Sequence, residues 1–198
     1  MSKTADQRGA LIVVTGPSGV GKGTLIRIIR ERIPHLAYSV SATTRPRREG
    51  EQEGVDYYFL SPEEFDRRIA AGEFVEHAEY AGYQYGTLRS EVERHLKSGD
   101  SVVLEIDVQG ARQIRRSIPE ATLIFVSPPS AAELERRLRE RGTDTPEHID
   151  KRLAVAVEEL KARHEFDAEV VNDDLETAAR ELTGLVRDAI ALRGQATG

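Results

Sequence analysis

Short apolar runs alternate with amphipathic stretches along this chain. Leu11–Thr15, Val102–Ile106, Leu123–Val126 and Glu169–Val171 have the length and composition of buried strands. Helical spacing fills the segments between them. Lys22 to Ile33 carries Leu25, Ile26, Ile28, Ile29 and Ile33, then stops at Pro34. Ser61-Pro62-Glu63-Glu64 is a capping box with proline at the first helical position, and Phe65 and Ile69 follow it one turn apart. Thr87 to Lys97 carries Val92 and Leu96 and ends at Gly99. Ser130 and Glu133 form another capping box ahead of Leu134 and Leu138. Thr145-Pro146 opens a long helix with Leu153, Val157 and Leu160 on one face, and Leu175 to Leu192 reads as a C-terminal helix.

Strands alternating with helices predict an α/β fold: a parallel sheet with helices on both faces. Two segments interrupt the alternation. Residues 37–87, rich in Tyr, Thr, Gly and charge, read as short strands plus one helix and are expected to form an inserted lobe. Residues 130–165 are expected to be a helical lid, two helices joined by the polar turn "RGTDT". That leaves a core of about 9–36, 88–129 and 166–193 within one domain spanning 1–198.

Composition narrows the classes. A net charge of −6 argues against a broad nucleic-acid or membrane surface but leaves room for a local basic cleft. The chain has no Cys, so it has neither a disulfide framework nor a thiolate metal site. "MSKTADQRGA" lacks a secretory apolar stretch, and no run approaches a membrane span. A cytoplasmic protein is expected, as monomer or homo-oligomer.

The first chemical signal follows the first apolar run. In "GPSGVGKGT", Gly16, Gly21 and Lys22 match the phosphate-loop template G-x-x-x-x-G-K-[ST], with a strand before and a helix after. Amides from Ser18 to Thr24 would cup an anion, the helix would add its positive end, and the Lys22 ammonium would reach the β- and γ-phosphates. Gly23 departs from the template. The usual hydroxyl there ligates Mg²⁺, so a metal would rely on phosphate oxygens, water and a carboxylate elsewhere, while Thr24 still offers a hydroxyl to a phosphate. The loop alone does not separate a GTPase, an ATPase motor and a small-molecule kinase.

A second anion site would separate them. "SVSATTRPRREGEQEGVDYYF" places Arg45, Arg47 and Arg48 close together, stiffened by Pro46. This reads either as a solvated basic loop or as a planar clamp for a second phosphate, with Tyr57 and Tyr85 as phenolic donors. In "GEFVEHAEYAGYQYGT", Glu76 is either one of several surface acids, beside Glu73 and Glu79, or a base reader. Guanine presents N1–H and the N2 amine along one edge and a carboxylate accepts both, whereas adenine presents a lone pair there. Such a site discriminates by roughly 10⁴-fold or more.

These pieces, with "LEIDVQGA", the arginine-flanked "RGTDT" and "VNDD", occur in the order found in guanylate kinases, and nearly the whole chain resembles that family. The resemblance implies a P-loop nucleoside-monophosphate kinase fold with core, GMP-binding lobe and lid. It also implies transfer of the ATP γ-phosphate to GMP, giving GDP and ADP. By resemblance, Gly16, Pro17, Ser18, Gly19, Val20, Gly21, Lys22, Gly23 and Thr24 form the ATP phosphate loop, and Asn172 matches a residue near the adenine. Arg45 and Arg48 match the family's phosphate clamp, with Arg47 at a variable position. Tyr57 and Tyr85 match its phosphate-binding tyrosines. Ser41, Glu76 and Thr87 match its guanine contacts. The family has acids at Glu105 and Asp107, read here as two residues on one strand face, with Glu105 nearer the GMP base and Asp107 between the nucleotides.

In the lid, Arg136 and Arg139 sit at salt-bridge spacing from Glu133 and Glu135, whereas Arg137, Arg141 and Arg152 match the arginines that reach ATP. The GMP phosphate is already an anion near neutral pH, so no general base is nominated, and the five histidines show no metal-ligand spacing. Lys22, Arg45, Arg48, Arg137, Arg141 and Arg152 would cancel charge as the catalytic set, with Mg²⁺ held by Asp107 directly or through water. Two rival readings are a guanylate-kinase-like protein-interaction module, which usually lacks a working phosphate loop, and a sugar-phosphate kinase, which has no need of Glu76, Ser41 and Thr87. A GTP-hydrolysing switch lacks its N-K-x-D stretch here.

Overall fold

A computed structural model describes residues 8–80, 82–140 and 146–196. In chain order the strands are β1 (Leu11–Thr15), β2 (Leu36–Tyr38), β3 (Ser41–Thr43), β4 (Tyr58–Phe59), β5 (Phe74–Tyr80), β6 (Tyr83–Leu88), β7 (Ser101–Glu105), β8 (Thr122–Ser127) and β9 (Ala168–Val171). The helices are α1 (Lys22–Arg32), α2 (Pro62–Ala70), α3 (Arg89–Lys97), α4 (Val108–Ser117), α5 (Ala131–Glu140), α6 (Pro146–Lys161) and α7 (Leu175–Ala196).

Five strands form a parallel sheet in the order β2-β7-β1-β8-β9. Every residue of β1 is buried, as a strand covered on both faces requires. Its alternation divides the core. Ile12 and Val14 pack with Leu25, Ile26 and Ile29 of α1 and Leu182 and Val186 of α7. Leu11 and Val13 pack with Val92 and Leu96 of α3 and Ala111 and Ile114 of α4. Leu134 and Leu138 of α5 and Ile149 and Ala156 of α6 extend the first of these clusters over the phosphate loop at Val20.

A four-stranded mixed sheet, ordered β4-β3-β6-β5, stands apart. One face is apolar: Ala42, Phe74 and Leu88 pack on Phe65 of α2, whose ring stacks on Phe74 at 4.4 Å. The other face carries the polar residues considered below. The register of β5 against β6 slips between Phe74 and Glu76, leaving a bulge at Val75. In a regular strand Phe74 and Glu76 would share a face. The extra residue reverses the phase, so Phe74 pairs with Leu88 on the apolar face while Glu76 pairs with Thr87 on the polar one.

Several boundaries differ from the sequence expectation. Thr87 begins no helix; it is paired in β6, and α3 starts two residues later behind Leu88. β7 ends at Glu105, so Asp107 leaves the strand and becomes the N-cap of α4. The inner face of α6 is Ile149, Leu153, Ala156 and Leu160, while Val157 is 47% exposed, because the 3.6-residue period runs through Ala156.

Removing the Phe65 ring tests the second sheet's support. Phe65→Ala should cost about 3–5 kcal/mol in urea unfolding. A loss under about 1 kcal/mol would show that α2 does not hold this sheet.

Candidate active site

The loop between β1 and α1 runs through residues that only glycine suits. Gly21 caps α1 at φ 99°, and a Cβ there would stand 2.6 Å from the Asn172 side-chain nitrogen. With no side chain at the cap, the first amides of α1 remain for a ligand. Lys22 folds back over the loop, donating from Nζ to the carbonyls of Gly16 at 2.6 Å and Pro17 at 3.0 Å.

Asn172, which the resemblance puts near the adenine, sits next to the phosphate loop at Val20 and Gly21. It is buried beside the loop, its amide donates to the Val20 carbonyl at 2.8 Å, and its own backbone carbonyl accepts from Arg137 at 3.0 Å. It braces the loop from behind. Arg137 is also held by Glu133, Nε to Oε1 at 2.7 Å, and Arg152 donates to the Ser18 hydroxyl. Two of the expected lid arginines therefore meet the rim of the loop, and Arg141 lies outside the described residues. Arg136 and Arg139 are surface ion pairs with Glu133, Glu140 and Glu135.

On the polar face of the second sheet, three strands bring Ser41, Thr87 and Glu76 into one row, since Ser41 pairs with Thr87 and Thr87 with Glu76. The Thr87 hydroxyl donates to Glu76 Oε1 at 2.6 Å, and both residues are buried. Glu76 reaches the first turn of α4, where a Cβ at Gly110 would lie 2.5 Å from its Oε2. Burial pushes its carboxyl up to about 7, with Asp107 adding to the rise and the Thr87 hydroxyl opposing it. Gln113 of α4 pins the strand beside it, its Oε1 accepting from the His77 amide at 3.1 Å and its Nε2 donating to the His77 carbonyl at 2.6 Å.

Further along the same face, Tyr85 pairs with Thr43 and meets Tyr57 edge-on at 6.1 Å. The Arg45 guanidinium, 8% exposed, lies 5.3 Å over the Tyr57 ring and donates to Glu51 at 2.6 Å and to the Pro46 carbonyl at 2.9 Å. Glu51 also accepts from the Arg48 amide at 2.8 Å, so one carboxylate holds both ends of the arginine loop. The Arg48 side chain is exposed. Burial raises the Tyr57 hydroxyl pKa, keeping it a donor.

The two strand acids trade places relative to the expectation. Glu105 lies against the phosphate loop, its Oε2 3.4 Å from where a Gly23 Cβ would stand. Asp107 is the acid beside Glu76; its Oδ1 accepts from the Gly110 amide at 2.7 Å. The reason is the early end of β7, which turns Asp107 into the α4 cap. Glu159 of α6, unmarked in the sequence reading, also faces this region. Burial pushes it up to about 7, Lys22 opposes that rise and Asp107 adds to it. Glu51 and Gln113 are likewise unmarked: each makes its contact across a loop or between elements, and spacing along the chain carries no sign of either.

A family profile described as guanylate kinase matches residues 8–189. The guanylate kinase of Thermosynechococcus vestitus is 58% identical over 176 residues, 89% of this chain and 92% of that protein. The guanylate kinase of Rubrobacter xylanophilus is 56% identical over 185 residues, 93% of this chain and 97% of that protein. The crystal structure of guanylate kinase from Anaplasma phagocytophilum superposes with a TM-score of 0.74 at 35% identity, covering 93% of this chain and 88% of that one.

The raised Glu76 pKa has a stability consequence. The folded state holds this proton more tightly than the unfolded state, whose value is near 4.5, so the contribution is intact below that pH and is lost as pH rises through about 7. Glu76→Gln cannot ionise. Without ligand, the wild type should therefore lose stability relative to the variant across this window, by on the order of 3 kcal/mol. Thermal unfolding of both proteins over the pH range reads the difference; a flat difference would contradict the buried carboxyl.

Proposed function

The chain belongs to the guanylate kinase family and phosphorylates GMP with ATP as donor; we propose that the cleft between its two sheets does so with the residues assigned here. The observation that carries the reading is the Ser41–Thr87–Glu76 row. It is a base-reading edge on the same sheet face as an arginine–tyrosine cluster, within a chain that also carries a phosphate loop.

Ionised Glu76 accepts from guanine N1–H and the N2 amine, and the Ser41 and Thr87 hydroxyls complete the edge. Adenine would leave the carboxylate facing a lone pair in a buried site. Arg45, Arg48, Tyr57 and Tyr85 receive the GMP phosphate, with Arg45 exchanging its Glu51 contact for phosphate oxygens. The amides of Gly16, Pro17, Ser18, Gly19, Val20, Gly21, Lys22, Gly23 and Thr24 surround the ATP phosphates, apart from Pro17, which has no N–H and shapes the turn. Lys22 exchanges the loop carbonyls for the β- and γ-phosphates. Arg137 and Arg152 approach from the lid, with Arg141 assigned beside them by resemblance. Asn172 keeps the loop in register through Val20, and its place near the adenine rests on the resemblance.

The acceptor oxygen of GMP is an anion near neutral pH, so the protein need not remove a proton. Its work is alignment and cancellation of charge while α5 and α6 cover the loop and exclude water. The residues present fit Mg²⁺, which takes hard oxygen donors. Glu105 beside Gly23 and Asp107 supply carboxylates, and among the described residues no three acidic, His or Cys side chains form a metal cage, so the ion would be shared with phosphate oxygens and water. When bound, the ion spreads phosphate charge during transfer. Among the described residues no helix is long and apolar enough to cross a membrane. Nucleotide substrates of this kind are supplied in the cytoplasm, where we place the activity.

ADP formation measured with GMP, AMP, UMP and CMP tests this directly. GMP should dominate by several orders of magnitude, Glu76→Gln should erode that preference, and Lys22→Ala should cut turnover by about 10²-fold or more. Equal turnover with AMP, or an unchanged preference in Glu76→Gln, would remove the row from base recognition.

A further inference from the structure

One charged group in the cleft has no part in the reaction as derived. Around the loop, Lys22, Arg137 and Arg152 supply positive charge to a triphosphate, and Glu159 is a carboxylate in the same space. The packing of α6 fixes its position. Arg152 donates to Ser18 of the loop, and Ala156 is buried in the same cluster as Val20. Leu160, one residue past Glu159, packs against the cluster that includes Val108 at the start of α4. On an α-helix, Arg152 and Glu159 are two turns apart, about 10 Å along the axis and about 20° around it. Glu159 thus lies on α6 past its contact with the loop, near enough to feel the charges of both Lys22 and Asp107. Transfer needs no general base there, and a carboxylate beside a polyphosphate opposes binding of the bare anion.

We propose that Glu159 is a specificity-determining residue that makes the phosphate loop select metal-loaded ATP over metal-free ATP. Free ATP brings its full negative charge toward the carboxylate. Two unit charges several ångströms apart at the effective dielectric of a partly buried site repel by about tenfold in affinity or more. When the phosphates carry Mg²⁺, the net charge falls and a metal-bound water can donate to the carboxylate, so the penalty vanishes or reverses. The inference rests on the assignment of the loop to ATP, and it concerns which form of ATP is admitted.

The test measures ATP binding by calorimetry, once in excess EDTA and once in excess MgCl₂, in mildly alkaline buffer. The expected result is that Glu159→Gln tightens metal-free ATP by about tenfold and leaves metal-loaded ATP unchanged or weaker, while Glu159→Asp keeps the wild-type ratio. Glu159→Ala removes the same charge and gives the same readout should the glutamine variant fold poorly. A general loss of stability would weaken both forms of ATP alike and leave their ratio untouched. A ratio in the neutral variants within about twofold of wild type would overturn the proposal, and would leave the kinase reading standing if the wild type still makes ADP from ATP with GMP. Failure of the wild type to bind ATP in either buffer would overturn both.

Discussion

Two phosphate-bearing molecules must meet within bonding distance inside one cleft, and like charges at about 4 Å repel by about 4 kcal/mol per pair even at an effective dielectric near 20. The arrangement of this chain answers that constraint. Cations come from independent elements: Lys22 from the start of α1, Arg45 and Arg48 from the loop after β3, Arg137 from α5 and Arg152 from α6. Several rest on protein oxygens. Lys22 lies on the carbonyls of Gly16 and Pro17, Arg45 on Glu51, Arg137 on Glu133 and the Asn172 carbonyl, and Arg152 on Ser18. These acceptors hold the cations in defined orientations, which lowers the entropy cost of ordering them around a substrate.

Base reading, as proposed for this chain, depends on a single extra residue in β5. The bulge at Val75 lets one strand present Phe74 to the α2 core and Glu76 to the nucleotide face. It also places a carboxylate where water is scarce, and the same burial that favours the protonated form would make its hydrogen bonds selective in the proposed pairing with guanine.

The parallel sheet and the phosphate loop are legible in the sequence because both signals are local. An apolar run, a glycine turn and an amphipathic helix need no distant partner to be recognised. What the sequence hides is set by packing. Phe74 and Glu76 alternate like any strand pair, and only the register with β6 reveals the bulge. The places of Glu105 and Asp107 differ from the expectation because β7 stops at Glu105 and the chain turns into α4. Thr87 resembles a helix cap until Ser41 and Glu76 pair across it. Glu159 hides in the run Val157-Glu158-Glu159, because taking Val157 as an inner residue rotates the apparent face of α6 away from the cleft. Asn172 matches a ligand contact by resemblance, and its buried bond to Val20, which the sequence does not show, also braces the loop.

The central claim is that one cationic cleft holds both nucleotides face to face. The most direct measurement is a crystal structure with adenosine and guanosine joined through a polyphosphate bridge. The account predicts guanine against Glu76 and Thr87, with the bridge passing Arg45 and crossing Lys22 above the loop. Guanosine seated away from the Ser41–Thr87–Glu76 row, or a bridge that bypasses the loop, would contradict it.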